Sequence, residues 1–184
     1  MGPSRLLADR ETETSGMSLS KPLIAAVEGF AVTGGLELAL LADMPAASES
    51  AVFGVYCRRW GVPLIDGGAV RLPRIVGQGR AMDMILTGRA VNAHEALSWG
   101  LANRVIPEGL ALSGAQQLAA DLARFPSTCM RVDRASAYAG WPMELGAALR
   151  SEGERGRLAL LAGSRDGATR FAEGKGRGGD LGEF

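Results

Sequence analysis

Thr33-Gly34-Gly35-Leu36-Glu37 places two glycines and a carboxylate where an apolar run, PLIAAVEGFAV, gives way to the helix-favouring LELALLAD. Glycines let another group approach the backbone closely. The first N–H groups of a helix lack intrahelical acceptors and lie at the positive end of its dipole. Such a turn can stabilise an anionic oxygen as half of an oxyanion hole, which makes Gly34 and Gly35 candidate binding residues. Glu37, in the same first turn, is placed to move a proton to or from a carbon beside a carbonyl. A glutamate three residues after a cap is equally a capping device, so spacing alone leaves both readings open. The turn itself carries neither GxGxxG nor GxxxxGK[ST], which argues against a nucleotide-phosphate cradle.

The elements that must hold this turn follow from composition and pattern. The chain has 184 residues, one domain's worth, with 20 basic and 20 acidic side chains and a formal net charge of zero. That balance offers nothing to nucleic acid or anionic membrane. No apolar run reaches the roughly 20 residues that span a bilayer, and the first twenty residues lack a signal peptide's apolar stretch. The expected location is cytoplasmic. Cys57 and Cys129, with His94 the single histidine, make neither a disulfide scaffold nor a zinc site.

Residues 1–20 read as a polar arm, and the ordered part starts near Pro22. PLIAAVEGFAV reads as one strand buried on both faces, and AASESAVFGV as another. A short helix from about Gly67 is expected to stop near Pro73. Further helices are expected over GRAMDMILTG and over AHEALSWG, the latter capped by Asn92 and closed by Gly100. LANRVIP is extended. The remainder reads as helix over 112–124, 126–139, 143–163 and 165–174, before a Gly-rich tail over 175–184. The fold class is α/β, with a core over residues 21–110 and a helical region over 111–174.

The segments KPLIAAVEGFAVTGGLELALLAD, AVFG and GVPLIDGGAVRLPRIVGQGRAMDMILTGRAVNAHEALSWGLANRVIP resemble the enoyl-CoA hydratase/isomerase family, the crotonase superfamily. The resemblance implies a spiral of ββα units followed by helices that pack between subunits, in trimers or hexamers. It also implies acyl-coenzyme A substrates of fatty acid metabolism, a thioester enolate held by two backbone N–H groups, and no cofactor beyond the coenzyme A the substrate carries. By position, Gly34 resembles the second oxyanion donor and Glu37 the first of the two glutamates that hydratases use.

Two departures shape the expected activity. Where hydratases carry their second glutamate, four residues after the Phe of the FG pair, this chain has Cys57 after Phe53. Asp66 is the nearest replacement, either as a second carboxylate or as a cap for the helix at Gly67-Gly68. Cys57 reads as a small wall residue, since no histidine partners it. Arg58 and Arg59 read as solvent or subunit ion-pair residues, with a substrate phosphate as the other reading. Trp60 is expected to line or pack its loop, and His94 to lie on the surface. The second departure is at the N-terminus, where the family's first strands and first oxyanion donor would precede Lys21-Pro22. The expectation is therefore a lyase or isomerase with weak activity. The competing reading is a non-catalytic remnant serving as an assembly or binding module.

Overall fold

A computed structural model describes residues 19–175. Most of the polar arm and of the Gly-rich tail lies outside these described residues. They form two compact units, one comprising Leu23–Gln117 and the other starting at Leu118 and including Ser20–Pro22.

In the first unit, the chain feeds one strand at a time into each of two three-stranded sheets. Strands β1 (Ile24–Val27), β3 (Met44–Ser48) and β6 (Arg104–Ile106) form a parallel sheet in that order. Ile24 stands opposite Met44, and Ala46 opposite Arg104. Strands β2 (Phe30–Val32), β4 (Val52–Gly54) and β5 (Ala90–Asn92) form the second sheet, with β4 parallel to β2 and antiparallel to β5. Phe53, on the middle strand between Ala31 and Val91, is wholly buried. Helix α1 (Gly34–Ala39) follows β2, and α2 (Gly68–Val76) and α3 (Gln78–Thr87) follow β4, completing two strand-strand-helix passes. Leu36, Leu72, Met84 and Leu101 fill the core beside Phe53.

Several expectations need correction. PLIAAVEGFAV is not one strand: Glu28-Gly29 breaks it, and β1 and β2 enter different sheets. It is not buried on both faces either, since Val27 is buried but Phe30 is 75% exposed. AASESAVFGV likewise divides into β3 and β4. Ser48 Oγ accepts the Ser50 N–H at 3.1 Å, fixing the corner between them. Strand β5 and a 3₁₀ helix at Tyr56–Trp60 were not anticipated. Helix α2 runs through Pro73 to Val76. An interior proline costs about 3 kcal/mol, but burying Leu72 and Val76, four residues apart on one face, returns about 1.5–3 kcal/mol each.

Other expectations stand. Asn92 accepts the Glu95 N–H at 2.9 Å and caps α4 (Ala93–Trp99), and Gly100 closes that helix at φ 77°. Helix α5 is Ala111–Ala123, and in the second unit α6 (Ser127–Gly140) starts after Pro126. Helix α7 (Leu145–Ala172) is two helices joined across a kink at Gly163, whose backbone is non-helical, where the sequence indicated a break. Among the described residues, strand β1 lies at the edge of its sheet, with a hollow of about 420 Å³ along it. No helix of the described residues is long and apolar enough to cross a membrane.

Candidate active site

The site is built around the entry to α1. Thr33 sits at φ 57°, ψ −122°, the one non-glycine residue with positive φ among those described. Such a conformation costs on the order of 1–3 kcal/mol and persists only where neighbours impose it. Here the Thr33 N–H donates to the Gly54 carbonyl at 3.0 Å, tying the turn to β4, and the Thr33 carbonyl accepts the Glu37 N–H at 3.1 Å. Open space adjoins Gly34, where an added Cβ would meet no atom within 4 Å. Gly35, the next residue, is exposed.

Glu37 turns inward from the same helix and is only 4% exposed. Its Oε1 accepts two backbone N–H groups, from Asp66 at 2.8 Å and from Gly68 at 2.9 Å. Glu37 therefore does not cap its own helix. It crosses to the start of α2, whose N-cap, Gly67, has φ 95° and no side chain to offer. A buried charge needs such donors, and the N-terminal dipole of α2 adds to them. Gly68 lies tightly against this carboxylate: a Cβ there would stand 2.9 Å from Glu37 Cγ and 3.1 Å from Leu64 Cδ1.

The structure thus gathers Gly34, Gly35, Glu37 and Asp66 around α1 and the start of α2. Asp66 meets Glu37 through its backbone N–H. It stands one residue before the N-cap, so it does not fill the cap position the sequence offered it. Cys57 is buried in the 3₁₀ helix, as a wall residue would be. Arg58 and Arg59 serve the end of α3. Arg58 Nε donates to the Ile85 carbonyl at 3.1 Å, Arg59 Nη2 donates to the Gly88 carbonyl at 3.0 Å, and Arg59 stacks over Tyr56. Trp60 is 81% exposed, so it is not packed into its loop. His94 is exposed on α4. Among the described residues, no three His, Cys, Asp or Glu side chains are grouped to hold a metal ion.

Gly68 was missed as a site residue. The Asp66-Gly67-Gly68 run signalled a helix start, but nothing local in the sequence says whose carboxylate that start receives.

A buried carboxylate beside a glycine turn at a helix start, in an α/β protein of two small sheets, is an arrangement that can do acid/base work next to an anionic oxygen. Residues 9–175 match the family model for enoyl-CoA hydratase/isomerase, and the chain belongs to that family. It is 44% identical over 118 residues to enoyl-CoA hydratase EchA19 of Mycobacterium tuberculosis, a match covering 64% of this chain and 43% of that one. It is 42% identical over 110 residues to carnitinyl-CoA dehydratase of Proteus mirabilis, covering 60% and 42%. Among solved structures, an enoyl-CoA hydratase subunit from Geobacillus kaustophilus superposes with a TM-score of 0.86 at 30% identity, covering 94% of this chain and 68% of its own. The matches span less than half the length of these two curated relatives.

Proposed function

We propose that the protein acts on acyl-CoA thioesters through a thioester enolate, with the Gly34 N–H as an oxyanion donor and Glu37 as the proton carrier. The observation that carries this is the buried Glu37 carboxylate, whose Oε1 is held by two N–H groups one turn from an open glycine backbone. With Oε1 so engaged, Oε2 is the oxygen for proton transfer at the carbon next to the thioester carbonyl. Cys57 stands where a hydratase's second glutamate would, so the chemistry is a one-base reaction such as isomerisation rather than simple hydration. Asp66 is the candidate second carboxylate. No cofactor enters beyond the coenzyme A of the substrate. We propose further that the protein works in the cytoplasm as a trimer or hexamer, with α7 as the contact surface.

The test is exchange of the α-protons of saturated acyl-CoA esters in D2O, read by mass spectrometry. Wild type is expected to incorporate deuterium, and to hydrate crotonyl-CoA far more slowly than an ordinary family hydratase. No incorporation across a panel of chain lengths would overturn the enolate reading, and hydration at an ordinary hydratase rate would overturn the one-base reading.

A further inference from the structure

Between the two N–H groups that hold Glu37 lie two peptide carbonyls, those of Asp66 and Gly67, and Arg71 holds both. Arg71 Nη1 donates to the Asp66 carbonyl at 3.0 Å. The guanidinium lies folded over Gly67: a Cβ built on that glycine would fall 2.2 Å from Nη1 and 3.0 Å from Cζ. The Arg71 backbone N–H also donates to the Gly67 carbonyl, at 2.8 Å. Gly67 sits at φ 95°, and without a side chain it is the softest link between the two donors. The bond to the Gly67 carbonyl holds the plane of the Gly67–Gly68 peptide, which carries the Gly68 N–H, and the side-chain bond to the Asp66 carbonyl holds the Asp66–Gly67 plane between the two donors, so that Gly67 cannot swing one donor away from the other.

We infer that Arg71 is a positioning residue for Glu37, acting through the Asp66 carbonyl to keep the Gly68 and Asp66 N–H groups aimed at Oε1. Arg71 reaches Glu37 here through the backbone of residues 66–68. Its effect on turnover, which rests on the enolate reading above, is one of orientation: a carboxylate released from Oε1 samples rotamers in which Oε2 no longer faces the reacting carbon.

Amide hydrogen exchange in the full chain, read by NMR, tests the inference without any substrate. In Arg71→Met the Gly68 and Asp66 amides are expected to exchange at least about tenfold faster, while the amides of Met84 and Val91 in the core stay within about threefold of wild type. Arg71→Lys, which keeps a donor for the carbonyl, is expected to recover part of the protection. A Gly68 amide within about threefold of wild type in Arg71→Met would overturn the inference. Should Arg71→Met fail to fold, Arg71→Gln is read by the same two groups of amides and decides in its place. Where wild type exchanges the α-protons of an acyl-CoA ester, Arg71→Met should lower kcat at least about tenfold and leave KM within about threefold. A fall confined to KM would also overturn it. A wild type inactive on every ester defeats the enolate reading alone, and the amide comparison still decides the role of Arg71.

Discussion

Gly68 gives Glu37 a hydrogen bond and, lacking a side chain, the room in which to take it: the Gly68 nitrogen lies 2.9 Å from Oε1, and a Cβ on the same residue would lie 2.9 Å from Glu37 Cγ. A glycine is therefore required where this backbone meets the carboxylate.

Gly68→Ala follows directly. The added methyl has Glu37 on one side and Leu64 on the other, both buried or half-buried, so one of them must shift. Overpacking of this kind costs about 1–3 kcal/mol. The expected result is a lower urea midpoint and, if Glu37 is the proton carrier, a loss of turnover larger than the loss of stability explains. Gly79→Ala is the control, because a Cβ at Gly79 meets nothing within 4 Å; it should leave both nearly unchanged. Equal effects at the two glycines would contradict the fitted contact.

Acid stability should depend on Glu28. Its carboxylate accepts the Gly109 N–H at 2.5 Å and the Ala111 N–H at 2.9 Å at the start of α5, and these bonds hold its pKa below the ordinary glutamate value. A carboxyl whose pKa is depressed on folding contributes stability that is fully present above its unfolded value, near 4.5, and is lost as pH falls through the lower folded value. Urea midpoints measured from pH 6 down to pH 3 should therefore fall more steeply in wild type than in Glu28→Gln. Parallel curves would show that the bonds do not matter in solution.

Self-association should depend on α7. Leu145, Leu158, Leu160 and Leu161 are between 63% and 79% exposed, more apolar surface than one helix usually leaves to water. Light scattering at micromolar concentration should give a mass above the 19.2 kDa monomer, and Leu158→Ser combined with Leu161→Ser should lower it. A monomer in both samples would defeat the trimer and the hexamer alike.

How far the sequence reaches depends on how far apart the partners lie. Gly34 and Glu37 could be read together because they share one helical turn, and so could the Asn92 cap, whose acceptor and donor are three residues apart. The partners of Glu37 lie 29 and 31 residues away, across β3 and β4, and no local rule names them. Glu28 is a similar case. It interrupts an apolar run read as one strand, yet its reason for being there, the start of α5, lies 81 and 83 residues on. Pro73 misled in another way, because a local penalty was outweighed by burial on both sides of it. The ββα alternation itself became legible through the family resemblance, since strands of three to five residues carry too little periodicity to declare themselves.

The last prediction concerns Glu37→Gln, for which a capping role and a catalytic role give different numbers. Glutamine keeps an oxygen able to accept both the Asp66 and the Gly68 N–H groups, so the start of α2 retains its partner. What is lost is the charge: a hydrogen bond to an ionised group is worth about 1.5–3 kcal/mol against about 0.5–1.5 for a neutral one. Over the two bonds stability should therefore fall by about 2–3 kcal/mol, with the fold retained. If Glu37 served only α2, turnover would follow stability and change little under conditions where both forms are folded. As the proton carrier it contributes about 10² to 10⁴ in rate, and an amide cannot take over that exchange at neutral pH. Deuterium incorporation into acyl-CoA esters should then collapse while the circular dichroism spectrum stays that of wild type. Retention to within about threefold, a factor worth only about 0.65 kcal/mol of barrier, would reduce Glu37 to the cap of a helix that has no side chain of its own to begin with.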